Sequence, residues 1–235
     1  MVELAFDASA RSASVCVIRD GQVLSSLSIE NGNTHSEELM PLMDRLFVSQ
    51  GLGIADVERI YVANGPGSFT GVRIALSIAK GLAHALNVPI VPVSTLDALS
   101  YHGKGHQALI CPIMDARRAR VYTAIYQGFG GERLLEASAL SFEELRERLQ
   151  AYAQPVLFVG DGIGKYREEI SAITEFPVLQ AEDAYQLANA EGVYAAAKAY
   201  RYEALGYAEA LPVYLRKAQA EREKDAKRLC NSKTC

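Results

Sequence analysis

Two stretches of this chain, about a hundred residues apart, repeat one plan. Residues 3–18 read ELAFDASARSASVCVI and residues 110–126 read ICPIMDARRARVYTAIY. Each is an apolar strand ending in aspartate, Asp7 or Asp115, then a short turn containing arginine, then a second strand. Recurrence of a strand–turn–strand unit at this spacing predicts a duplicated architecture. Chance likeness of two short stretches is the competing explanation. The 235 residues suffice for one large domain or two small ones, with a core that needs neither disulfide nor metal.

The intervening pattern fills in the unit. Strands are predicted over 3–6, 13–18 and 22–29, with Asp20-Gly21 as a hairpin turn. A helix follows over 35–49, with Leu39, Leu42, Met43 and Leu46 on one face. A strand over 60–63 leads through Asn64-Gly65-Pro66-Gly67 to a long helix over 70–86, which Asn87 and Pro89 end. The next strand covers 90–93. In the second half, strands are expected over 134–140 and 156–159. Helices are expected over 142–152 and over 184–202, and another is opened by the glycine-rich run 160–164. Residues 211–215 are extended, and a charged tail follows. Two βββαβα units in tandem resemble the actin-like (ASKHA) fold, an α/β architecture with mixed five-stranded sheets. The expected lobes are 1–103, completed by part of 211–235, and 104–210.

Composition narrows function. A formal net charge of -4 does not favour RNA binding by this chain alone. No run approaches the roughly 20 apolar residues that span a bilayer, and Met1-Val2-Glu3-Leu4 lacks a basic signal-peptide start. A cytoplasmic protein with no membrane contact is the expectation. Cys16 and Cys111 sit in apolar runs as buried thiols, whereas Cys230 and Cys235 lie in the polar tail.

The run Gly65 to Arg73 reads GPGSFTGVR. Gly65 and Gly67 permit backbone angles closed to other residues, Pro66 fixes one φ, and Ser68 or Thr70 can cap the following helix. The result is a tight strand-to-helix turn. It is either turn chemistry alone or a contact site for an anion or partner.

This segment, extended to GPGSFTGVRIALSIAKGLA, resembles the hallmark segment of the TsaB (YeaZ) family of bacterial proteins. DASARSASVCV at 7–17, HSEELMPLMDRLF at 35–47, VPVSTLDAL at 91–99, VGDGIGKY at 159–166 and LPVYLRK at 211–217 resemble other family segments in the same order. The resemblance implies a non-catalytic scaffold for synthesis of threonylcarbamoyladenosine on tRNA. It implies pairing with a TsaD-like catalytic subunit of the same fold and with a TsaE-like ATPase. Self-pairing is expected when the partner is absent, and tRNA is met only through the complex.

The residues fit a chain without its own chemistry. Catalytic relatives hold metal through two histidines one helical turn apart; His35 here stands alone, and Thr34 and His35 read as a helix start. His84, His102 and His106 lack fitting partners. ATP-binding members of the fold use glycine-rich hairpins, because a side chain blocks the approach of phosphate. The turns Ala8–Ser12 and Ala116–Ala119 contain no glycine. Arg117, Arg118 and Arg120 are a candidate anion contact, or solvated hairpin charges. Asp7 stands where kinases of the fold hold magnesium, though a lone aspartate at a strand end is more often a turn-former. No catalytic, cofactor or metal residue is assigned, and no cofactor is expected. A metallopeptidase-like enzyme and a small-molecule kinase of the same fold are the alternatives.

The helix over 70–86 is apolar or small nearly all round, so it needs cover on two sides. Gly71, Ala75, Ala79 and Ala83 form a small-residue ridge, Ser77, Gly81 and Ala85 another, with Ile74, Ile78 and Leu82 between them. The expected partner interface is Gly71, Ile74, Ala75, Ile78, Ala79 and Leu82 with His35, Leu39, Leu42, Met43 and Leu46 of the preceding helix. Ala79→Arg is then expected to block pairing and spare folding. Packing inside the chain is the alternative.

Overall fold

The computed structural model describes residues 1–30, 35–180 and 187–216. Thr34, residues 184–186 of the longest predicted helix, and the tail with Cys230 and Cys235 lie outside the described residues. Strands β1 (Val2–Asp7), β2 (Ala13–Arg19), β3 (Gln22–Ile29), β4 (Val57–Gly65) and β5 (Ile90–Ser94) form one sheet in the order β3-β2-β1-β4-β5. The first three are an antiparallel meander, and β4 and β5 add in parallel. Asp20 and Gly21 turn β2 into β3 at φ 52° and 81°, as a two-residue hairpin of this hand requires.

Successive strand residues point to opposite faces, and this alternation assigns the helices. Leu4 and Phe6 share a core with α1 (His35–Ser49) and α2 (Phe69–Leu86). Ala5, Cys16 and Tyr61 share another with α3 (Thr95–Ser100) and α7 (Ala190–Ala199).

The second sheet repeats the first. Strands β6 (Leu109–Asp115), β7 (Arg120–Tyr126), β8 (Arg133–Ser141), β9 (Val156–Val159) and β10 (Val178–Gln180) run β8-β7-β6-β9-β10, with the same antiparallel and parallel pairings. Helices α4 (Phe142–Gln150), α5 (Gly162–Lys165) and α6 (Arg167–Ser171) cover one face. The duplication extends to detail. Asp7 accepts from the Ser9 N–H at 3.0 Å, and Asp115 from the Arg117 N–H at 2.8 Å. Gly65 and Gly160, ending β4 and β9, share φ values of 111° and 109°. The fold is actin-like.

Helix α3 sits between the two sheets. Ala98 faces the core of Ala5, Cys16 and Tyr61 on the first sheet, and Leu96 and Leu99 face Ile110, Met114 and Tyr126 on the second. Asp97 lies between them, 2% exposed. It accepts from the Tyr126 hydroxyl at 2.6 Å, the Tyr202 hydroxyl at 2.9 Å and the Arg133 guanidinium. Burial and this carboxylate push the Tyr126 and Tyr202 phenols above their ordinary range. Residues from the second sheet and from the chain after α7 thus converge on one buried charge on α3. A second buried carboxylate, Glu3, accepts from Tyr61 at 2.6 Å and pairs with Lys198 and Arg59 at 3.4 and 3.6 Å. Neither network is visible as a motif.

Three predicted helices have different bounds. The helix expected over 70–86 begins at Phe69, capped by Ser68 and not by Thr70. That expected over 142–152 stops at Gln150, and its start is a capping box between Ser141 and Glu144. The one expected over 184–202 begins only at Ala190, because Asn189 is extended and caps it through the Gly192 N–H at 2.7 Å. Helix α7 packs on the first sheet, so residues 190–199, read with the second lobe, bridge the two halves.

Candidate functional site

The two-layer packing of the first sheet decides which faces of α1 and α2 look outward. Leu39, Leu42, Met43 and Leu46 are between 0% and 5% exposed, inside the first core. Ala75, Ala79 and Ala83 are at most 1% exposed in the same core, and Gly71 is buried beside them. The ridge expected at the surface is therefore the inward one; small residues let α2 lie close on its own sheet. This corrects the placement of Gly71, Ala75, Ala79, Leu39, Leu42, Met43 and Leu46. His35 opens α1.

The outward face of α2 carries the second ridge. Arg73, Ser77, Gly81 and Ala85 are exposed one turn apart, and Ile74, Ile78 and Leu82 flank them half-buried. A Cβ at Gly81 would meet nothing within 4 Å. Beside it, α1 shows Met40 and Val48, 44% and 69% exposed. The exposed residues of this helix pair thus include small and aliphatic groups alongside the charged or polar Asp44, Arg45, Arg73 and His84.

The glycine motif is a junction of three segments. Gly67 packs against the first hairpin, where the Ser68 N–H donates to the Ser9 carbonyl at 2.7 Å. Its added Cβ would stand 2.4 Å from that oxygen. Gly65 packs against the segment 211–216: the Val213 N–H donates to the Asn64 carbonyl at 2.8 Å, and a Cβ at Gly65 would lie 2.5 Å from the Val213 oxygen. Ser68 Oγ then accepts from the Gly71 N–H at 3.2 Å to start α2. Pro66 is buried, and Thr70 is exposed on the first turn. Backbone contact on both sides explains the glycines without a ligand. Gly67→Ala is expected to cost about 2 kcal/mol or more, because the nearest atom the methyl would meet, the Ser9 carbonyl oxygen, is backbone. Urea denaturation reads this as a lower midpoint at unchanged slope.

In the second hairpin, Arg117, Arg118 and Ala119 all adopt positive φ, 60°, 53° and 53°. Arg117 and Arg118 are exposed. Arg120 is not with them: it donates to the Ala139 carbonyl at 2.9 Å and pairs with Glu144 at 3.4 Å, serving the β7–β8 edge. Asp115 is bound by Lys165 at 2.6 Å. Nearby, burial raises the Asp161 carboxyl above its usual range. Burial likewise pushes the Cys16 and Cys111 thiols up to about 12, which keeps them protonated. His102 bonds the Leu187 carbonyl at 2.9 Å, and burial lowers its pKa. His84 lies against the Tyr207 ring. Among the described residues, no three His, Cys, Asp or Glu side chains gather as metal ligands, and no helix is long and apolar enough to cross a membrane.

Residues 29–224 match the family described as TsaD: tRNA N6-adenosine threonylcarbamoyltransferase. The chain is 34% identical over 175 residues to the tRNA threonylcarbamoyladenosine biosynthesis protein TsaB of Bacillus subtilis, covering 74% of this chain and 76% of that one. It is 32% identical to the Escherichia coli TsaB over 68% of this chain and 71% of that one. Among solved structures, YeaZ from Pseudomonas aeruginosa superposes with a TM-score of 0.73 at 31% identity, over 91% of this chain and 99% of that one. Sheet order, the paired aspartates and these likenesses agree: the chain belongs to the TsaB (YeaZ) family of tRNA threonylcarbamoyladenosine biosynthesis proteins.

Proposed function

We propose that this chain is a non-catalytic scaffold for the modification of tRNA, gripping a TsaD-type catalytic subunit through the outward face of α2. The observation that carries the reading is the exposed ridge Ser77, Gly81 and Ala85, flanked by Ile74, Ile78 and Leu82. Small side chains let a second helix approach closely. The flanking aliphatic groups give that contact its hydrophobic gain, about 25 cal/mol per Å² buried. The match to a TsaD family supports a partner of the same fold. Two such α1–α2 pairs then meet about a pseudo-two-fold axis, and a second copy of this chain uses the same face when the partner is absent. A TsaE-type ATPase binds the assembled pair, and tRNA meets the assembly.

Loss of chemistry in this subunit is supported by its hairpins. The first is filled by Ser9, whose carbonyl is held by Ser68. In the second, Arg216 occupies the carbonyl oxygens of Ala116 and Arg117. The test is reconstitution: tRNA modification is measured with purified partner subunits, with and without this chain. Modification that depends on the chain, together with no nucleotide turnover by the chain alone, is the expected result. Useful turnover by the isolated protein contradicts the reading.

A further inference from the structure

At the start of α2, three segments bring arginines and aromatic rings to one surface. The Arg73 guanidinium carbon lies 3.8 Å from the Phe69 ring centroid and 5.7 Å from that of Tyr214. Arg73 Nε donates to the Tyr214 hydroxyl at 2.8 Å. The guanidinium is thereby held over the Phe69 ring. Its other N–H groups make no hydrogen bond among the described residues, and a fixed fork of this kind suits a phosphate. The Phe69 and Tyr214 rings stand 5.2 Å apart and are each 42% exposed. Two residues beyond Tyr214, Arg216 donates to the second hairpin, at 3.0 Å to the Arg117 carbonyl. That hairpin adds Arg117 and Arg118, both exposed. None of Arg73, Arg117, Arg118 and Arg216 forms an ion pair with a described carboxylate. The whole chain is acidic, with a net charge of -4, so this cationic strip is a local feature.

We propose that this strip binds single-stranded RNA, with Arg73, Arg117 and Arg118 on phosphates and the Phe69 and Tyr214 rings stacking an unpaired base. Cations that track a backbone, interleaved with exposed rings, are the elements of such recognition. An acidic peptide would satisfy the arginines and leave the ring faces without a matching planar group. The inference rests on the tRNA reading above and adds a direct contact from this subunit.

Fluorescence anisotropy of the full chain with a labelled anticodon stem-loop RNA at low ionic strength tests it. Saturable binding is expected, weakened on the order of tenfold by Tyr214→Ala. Removing Arg73 or Arg118 is expected to lower the salt slope by about one each. Arg19→Ala, exposed at the end of β2, is expected to change nothing. Circular dichroism confirms that the variants fold. Absence of saturable binding, equal binding by the variants, or equal competition by polyglutamate overturns the proposal. A chain that restores tRNA modification but binds no RNA itself also overturns it, and leaves the scaffold reading standing. Failure to restore modification removes the scaffold reading independently.

Discussion

Ala79→Arg is expected to yield no folded protein. Ala79 is 0% exposed, in one core with Leu4, Phe6 and Val62 of the first sheet and Leu46 of α1. A guanidinium there has neither water nor a carboxylate, and burying an unpaired charge costs more than most domains possess as net stability. The added volume also forces α2 off the sheet. Soluble yield and circular dichroism check this; a cooperative thermal transition near that of the wild type contradicts it. The outcome corrects the expectation from sequence that this substitution would spare folding.

Asp97→Ala is expected to destabilise by about 3 kcal/mol, in the range for breaking one side of a buried charged network. The change leaves Tyr126, Tyr202 and Arg133 without their shared acceptor. The Arg133 side chain is 32% exposed, so water recovers part of the loss and the effect falls at the low end of that range. Asp97→Asn keeps an acceptor oxygen and is expected to lose less. Urea denaturation measures both. Equal midpoints for Asp97→Ala and wild type would show that the network does not hold α3 between the sheets.

The duplicated fold was legible in sequence because its signals are local. Strand alternation, the Asp20-Gly21 turn, and Asp7 and Asp115 ending matched strands each depend on a few neighbouring residues. The choice of outward ridge on α2 was not. Gly71, Ala75, Ala79 and Ala83 and the ridge Ser77, Gly81 and Ala85 are equally small, and only the sheet beneath tells them apart. Helix α3 was missed because all six of its residues are buried, leaving no polar face to mark a period. The grouping of Arg120 with Arg117 and Arg118 followed chain order. The turn, with three positive φ values, sends Arg120 to Glu144 instead. The junction role of Gly65 and Gly67 was out of reach, since their contacts, Val213 and Ser9, are distant in sequence.

The most direct measurement is the affinity of this chain, wild type and Gly81→Arg, for a purified TsaD-type subunit by titration calorimetry. Gly81 is exposed with open space around it, so the variant is expected to fold normally. Tight association of the wild type is expected, with a loss of at least about a hundredfold for the folded variant, the scale of a hot-spot disruption. Unchanged affinity in a correctly folded Gly81→Arg protein would contradict the outward face of α2 as the grip on the partner.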